Sequence, residues 1–270
     1  MNAYAPNPTA SATDAYAPAQ IAQLIEAGGV RKAQLSILQL LILGMLAGAF
    51  IAFGAMLSTL VLTGSTLGFG PSRLLAGAAF SLGLVLVLVG GAELFTGNNL
   101  IVMAWADGKV STAALLRNWA IVYIANCAGA LGSVALLYWS GTLHLGGGAV
   151  AETAAAIAAA KLKLGLVEAL TRGVLGNTLV CLAVWLSFAC HDVASKILAI
   201  AFPVTAFVAL GFEHSIANMY LLPIGMLASG GGIDIPGLVA NLASVTLGNL
   251  IGGGGLVALV YWLVYLRPAR

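Results

Sequence analysis

The sequence predicts an all-α integral membrane protein of six membrane-spanning helices in two inverted three-helix repeats, with the second and fifth spans broken. Three observations carry that prediction. The first is composition: of 270 residues, 61% are hydrophobic and 7% charged, with a mean hydropathy of +1.03. A soluble domain carries about 25% charged residues, and a chain this apolar has the bilayer as its solvent. The second is the placement of the charges. Residues 33–72, 197–212 and 215–233 hold no Asp, Glu, Lys, Arg or His, yet Glu213 and His214 stand together between two of these runs. Ionisable groups at membrane depth are costly and mark substrate or proton paths. The third is duplication: Gly91-Ala-Glu-Leu-Phe-Thr-Gly-Asn98 and Gly211-Phe-Glu-His-Ser-Ile-Ala-Asn218 share one frame of Gly, Glu and Asn. Gly-interrupted apolar segments in corresponding halves point to a site between repeats.

Residues 1–18 are rich in Ala and Pro and read as a disordered tail. Residues 19–32 carry Ile21, Leu24 and Ile25 between Gln20, Gln23 and Glu26, the pattern of an amphipathic interfacial helix. The six-helix membrane domain spans 33–266, with repeats of about 33–140 and 161–266, and 267–270 form a C-terminal tail. The first span covers 36–62. The second starts after Arg73 and is interrupted at Gly90-Gly-Ala-Glu93, its remainder reaching 106. Irregular backbone at that depth survives only buried in protein or lining a cavity. The third span covers 112–140 and carries Asn126. Residues 141–160, rich in Gly and Ala, read as an outside connection with a little helix, and the fourth span runs from Lys161 to 190. The fifth is broken at 211–215, and the sixth, 238–266, contains Asn249-Leu-Ile-Gly252, an echo of Asn126-Cys-Ala-Gly129. Three spans per half turn the second half over relative to the first.

With the N-terminus inside, seven Lys and Arg residues (31, 32, 109, 117, 196, 267, 270) face the cytoplasm and four (73, 161, 163, 172) the other side. The excess places both termini in the cytoplasm. The net charge of +2 comes with no basic patch for nucleic acid. Cys127, Cys181 and Cys190 lack metal-ligand spacing, and no cofactor or metal is implied.

A path for a small anion needs attraction at its mouth, a selective constriction and a means of reducing the cost of charge. Lys161 suits the mouth. Phe80, Leu94, Phe95, Val180 and Phe207 suit apolar constrictions, although such residues taken singly are ordinarily core. Half-helices starting near Thr96 and Ser215 would aim free N–H groups and positive dipole ends at the centre, with Asn98 and Asn218 beside them. Asn126, Asn177 and Asn249 line the path or bond the breaks; interhelical hydrogen bonding is the plainer role for Asn126. His214 can change charge near neutral pH, and its place in a break beside Glu213 favours function over packing.

These residues resemble the formate/nitrite transporter family over about 18–266. The specific pieces are Gly211-Phe-Glu-His-Ser-Ile-Ala-Asn-Met219, Ser81-Leu-Gly-Leu84 through Glu93-Leu-Phe-Thr96, Val180-Cys-Leu-Ala-Val-Trp185 and Val245-Thr-Leu-Gly-Asn-Leu-Ile-Gly-Gly253. The resemblance implies an aquaporin-like protomer assembled as a homopentamer in the inner (plasma) membrane, with one pore per protomer. It implies a central histidine at His214, a vestibule lysine at Lys161, an inner constriction of Leu84, Leu94, Phe95 and Val180, and an outer one of Phe80 and Phe207. Thr96 then belongs to the broken loop, and Asn177 and Asn249 face the pore. The opening segment and Phe80-Ser-Leu-Gly-Leu84 match the formate branch, whereas Gly97-Asn-Asn99 departs from it.

Formate, moving with protons, is the leading substrate; nitrite follows, then hydrosulfide, acetate or lactate. A bare charge in hydrocarbon costs about 3 to 17 kcal/mol, against roughly 4 kcal/mol to protonate a carboxylate of pKa about 4 at pH 7. The expectation is a neutral acid that receives its proton from His214. An aquaporin-type solute channel would need paired Asn-Pro-Ala boxes, and the one Asn-Pro is Asn7-Pro8. An intramembrane enzyme finds no serine–histidine, di-aspartate or metal-ligand set.

Overall fold

The computed structural model describes residues 15–267, so residues 1–14 of the tail expected at 1–18 and 268–270 of that expected at 267–270 lie outside it. All regular structure among these residues is helical. Helix α1 (Pro18–Ala33) precedes α2 (Ile37–Leu62), which is capped by Ser36 accepting from Gln39 N. Helix α3 (Phe69–Gly90) gives way to a 3-10 turn (Gly97–Ile101) and the short α4 (Val102–Ala106). Helix α5 (Thr112–Trp139) closes the first half. The second half holds α6 (Ala149–Leu162), α7 (Leu166–Ala189), α8 (Val193–Ala209), α9 (Ser215–Ala228), α10 (Ile235–Leu250), a nine-residue π-helical segment (Ile251–Leu259) and α11 (Val260–Tyr265).

Six helices among the described residues are long and apolar enough to cross a membrane: Ile37–Leu62, Phe69–Gly90, Thr112–Trp139, Thr142–Leu162, Leu166–Ala189 and Ile235–Tyr265. The number agrees with the sequence expectation, but the membership differs. Residues 141–160 are not mainly loop: their alanine-rich stretch forms α6, as high helix propensity dictates. Thr142–Leu162 is divided by non-helical backbone at Leu145, Gly146 and Gly147. Its 14-residue α-helical part reaches about 21 Å at 1.5 Å per residue, short of a hydrocarbon core of about 30 Å. Lys161 consequently sits in the last turn of α6 and not at the head of the fourth span, which Gly165 opens at Leu166. Helices α8 and α9, with 17 and 14 residues, are the two pieces of the fifth span.

Helix α1 is packed into the protein as well as amphipathic. Ile21, Ala22 and Ile25 join a buried cluster with Leu100, Ile101, Val102 and Met103, the continuation of the interrupted second span. Glu26, buried in α1, accepts from Lys109 Nζ at 2.6 Å; Lys109 also pairs with Asp107 at 3.0 Å, and Trp262 Nε1 donates to Asp107. Burial holds the Glu26 carboxyl above its ordinary range, against the pull of Lys109.

The α2–α5 and α7–α10 crossings are built alike. Gly129 and Gly252 each follow three residues after an asparagine, Asn126 or Asn249. A methyl group on Gly129 would collide with the Met45 carbonyl, and one on Gly252 with the Val174 carbonyl. Small residues let membrane helices approach at backbone distance. Gly129→Val and Gly252→Val are each expected to cost about 1–3 kcal/mol or more through overpacking. The loss would be read as a lower melting temperature in detergent. Gly255→Ala, which meets nothing within 4 Å, should leave that temperature unchanged.

Candidate functional site: two matched breaks and the path between them

The two interruptions are closed by the same bonds. After α3, Gly91 adopts φ +83° and Ala92 N donates to Val87 O; after α8, Gly211 adopts φ +73° and Phe212 N donates to Phe207 O. Both glycines need left-handed backbone that a side chain would oppose. The following glutamates then anchor to a neighbouring helix, Glu93 N to Leu43 O at 3.2 Å and Glu213 N to Arg172 O at 3.1 Å.

An asparagine clasps each break. Asn126 Oδ1 accepts from Phe95 N at 2.9 Å, while its Nδ2 donates to Gly44 O and Glu93 O. Asn249 Oδ1 accepts from Ser215 N at 2.9 Å, while its Nδ2 donates to Gly173 O and Glu213 O. Neither asparagine lines a cavity described below; both satisfy backbone groups that water cannot reach.

Around each clasp runs a charged chain. Lys161 Nζ meets Glu213 Oε1 at 2.8 Å, Asn218 Nδ2 donates to Glu213 Oε2 and Asn241 Oδ1, and Asn241 Nδ2 donates to Lys161 O. On the other side Lys32 Nζ meets Glu93 Oε1 at 2.6 Å, Asn98 Nδ2 donates to Glu93 Oε2 and Asn118 Oδ1, and Asn118 Nδ2 donates to Lys32 O. The sequence pattern had placed Lys32 only among the cytoplasmic charges and had not singled out Asn118 and Asn241. The signal was available: Lys32 precedes Gly44 and Lys161 precedes Gly173 by the same twelve residues. Starting the first repeat at residue 33 cut Lys32 off by one position.

The two frames differ at five of their eight positions, and one of these differences introduces a titratable ring. After Glu93 comes Leu94; after Glu213 comes His214. His214 is the N-cap of α9, with Nδ1 accepting from Ala217 N at 3.1 Å. An accepting Nδ1 places the neutral ring's hydrogen on Nε2, which lies 2.8 Å from Thr96 Oγ1. The imidazole therefore joins the two breaks.

Three cavities run in sequence. One of about 190 Å³ is lined by Lys161, Glu213, Arg73, Arg172, Phe80, Phe207 and His214, among others. A second, about 10 Å³, shares Phe80, Phe207 and His214 with the first; Ile51, Val204, Leu84, Leu94 and Val180 complete its wall. A third, about 760 Å³, shares Leu84 and Leu94 and opens toward Lys32, Arg31 and Lys196. The shared residues are the constrictions. The Phe80 and Phe207 rings meet edge-on with centroids 5.7 Å apart.

Of the residues predicted from sequence, Phe80, Leu84, Leu94, Val180, Phe207, His214, Lys161 and Glu213 line these cavities. Phe95 does not; its ring packs edge-on against Trp119 and Tyr123. It follows Leu94 in an irregular stretch that turns its side chain toward α5. Thr96, Asn177, Asn218 and Asn249 stand behind the wall. Asn177 Nδ2 donates to Asn99 Oδ1, Asn249 O and Thr96 O, tying the first break to α10. Among the described residues no group of three or more His, Cys, Asp or Glu could hold a metal ion.

The comparisons with known proteins agree with this arrangement. The formate/nitrite transporter family matches residues 19–263. The chain is 38% identical to the formate channel FocA of Escherichia coli K12, covering 94% of this chain and 96% of the relative. It is 39% identical to a probable formate transporter of Methanothermobacter thermautotrophicus, covering 93% and 97%. A solved pentameric formate channel with formate bound matches with a TM-score of 0.79 and 36% identity, over 86% of this chain and 98% of that one. A solved FNT family ion channel matches at 0.81 with 28% identity, over 92% and 99%. With its breaks, clasps and central histidine on a matching fold, the chain belongs to the formate/nitrite transporter family.

Proposed function

We propose that the chain carries formate across the inner (plasma) membrane as a small monovalent weak acid moving with a proton. It works as one protomer of a homopentamer, in contact with membrane lipid, with both termini in the cytoplasm. The related formate channels and the pentameric formate-bound structure support substrate and assembly. The observation that carries the reading is the 10 Å³ cavity between the two constrictions, where His214 is the single polar side chain on the wall. Such a volume holds about one water. An anion entering it sheds its hydration shell, so protonation at roughly 4 kcal/mol is the cheaper route.

The vestibule lysine lowers the cost of approach and the imidazole completes the step. A resting imidazolium would cost the Ala217 cap, about 1 kcal/mol, and would place a cation at a positive helix end. The ring therefore stays neutral until an anion offsets its charge. As the anion arrives the ring takes a proton from solvent at Nδ1, displacing the Ala217 cap, and gives its Nε2 proton to a carboxylate oxygen. That leaves a neutral ring with its hydrogen on Nδ1 and a neutral acid, one solvent proton being consumed for each acid formed.

In proteoliposomes, wild-type formate uptake is expected to follow the proton gradient, with little current at pH 7. Large steady currents indifferent to that gradient would overturn neutral passage, and faster nitrite than formate flux would reassign the substrate. His214→Asn keeps a δ-position acceptor for Ala217 N, falls short of Thr96 and has no titratable nitrogen. Proton-coupled uptake through it should fall at least about tenfold, in the range of general acid–base contributions.

Lys161 is also structural, because the Glu213 side chain is 4% exposed and Lys161 is its cation. Removing one partner of a buried pair costs about 3–5 kcal/mol. Lys161→Ala should lower both flux and melting temperature. Adding Glu213→Gln should restore the temperature but not the flux, and a single variant as stable as wild type would refute the buried-pair argument.

A further inference from the structure

Two arginines in the 190 Å³ cavity are left over once the lysine, the carboxylate and the histidine have been given roles. Arg73, at the start of α3, donates through Nε to Ala209 O at 3.2 Å and through Nη2 to Val208 O. Arg172, in α7, donates through Nη1 to Gly211 O at 3.2 Å and through Nη2 to Glu168 Oε1, an exposed partner one helical turn away. Each guanidinium is thus pinned at the C-terminal end of α8 and lies in the cavity wall. A methyl group built on Gly211 would stand 3.2 Å from Arg73 Nη2 and 3.6 Å from Arg172 Nη1. The two cations therefore flank one glycine, separated by no more than the sum of those distances.

The charge on the wall does not balance. Lys161, Arg73 and Arg172 are opposed in the cavity lining by Glu213 alone, and Glu213 is already bonded to Lys161 and Asn218. Two guanidinium groups this close repel in a partly enclosed space. A guanidinium has five donors in a fixed fork matched to a two-oxygen anion, and here only two donors of each fork have protein acceptors.

We propose that Arg73 and Arg172 form, with Lys161, a collar that holds a small planar monocarboxylate beside Gly211, outside the Phe80–Phe207 pair. This rests on the reading of the chain as a weak-acid channel and adds a loading station to it. The bound anion, held in the cavity between the two forks, relieves the repulsion between the arginines. The collar also explains why α8 ends here under two cations: its outward carbonyls are neutralised, so the approaching anion meets the positive end of α9 without an opposing negative end.

The test uses the full-length protein. In detergent, sodium formate should raise the melting temperature of wild type above that in sodium chloride of equal ionic strength. The double variant Arg73→Gln, Arg172→Gln should show no such difference. Glutamine keeps an N–H donor for the carbonyls but removes the charge, so a purely structural cap would survive it. An equal formate shift in both proteins, or none in either, overturns the collar. In proteoliposomes, Arg172→Gln should raise KM for formate about tenfold, as expected for a lost charge-assisted contact, with maximal flux within about twofold. Arg172→Lys should fall between. An unchanged KM with reduced maximal flux overturns the proposal, and the lysine variant decides the matter if the glutamine variants do not fold. A wild type that carries no formate would refute the proposed function, while the melting comparison would still decide the collar.

Discussion

A backbone that leaves helical geometry inside a membrane must still satisfy every N–H and C=O. The rest of this structure depends on how two asparagines meet that requirement. Asn126 and Asn249 each give three hydrogen bonds, accepting from the first N–H beyond a break and donating to the carbonyl of the preceding glutamate and to a neighbouring helix. Because both amide hydrogens and the oxygen are used, the break is fixed in position as well as solvated. The close crossings at Gly129 and Gly252 follow from the same need, since a clasp works only if its helix lies at backbone distance from the one it reaches.

Once the breaks are fixed, the buried carboxylates follow. Glu93 and Glu213 are 6% and 3% exposed, and charges so deep survive only when paired. Each has a lysine at the end of a short helix, α1 or α6, and an asparagine five residues on. The same pairs line the two larger cavities. Leucine after one glutamate and histidine after the other give a cavity with one polar wall, and the Thr96–His214 contact bridges the breaks at that point.

Much of this was legible in the chain itself. Composition determined the solvent, because no soluble core could enclose so much apolar surface. The Gly–Glu–Asn frame determined where the spans are interrupted, because glycine and a buried carboxylate at one offset have no use within a continuous membrane helix. His214 stood out because a titratable ring in a charge-free stretch needs a reason to be there.

What only the tertiary structure decided were the partnerships across the chain. Lys32 lies 61 residues from Glu93, and Arg73 lies 136 from Ala209; no local pattern links such residues, since the pairing exists only after the helices cross. Likewise the side to which Leu94 and Phe95 turn is set by an irregular backbone with no period to read. One reaches the path and the other packs against Trp119 and Tyr123. The sequence by itself determined that there is a broken, polar-centred membrane path and where its breaks fall, for these depend on composition and on residues close together in the chain. Which side chains face the path and which charges answer one another was decided by packing, for those are properties of distances between helices.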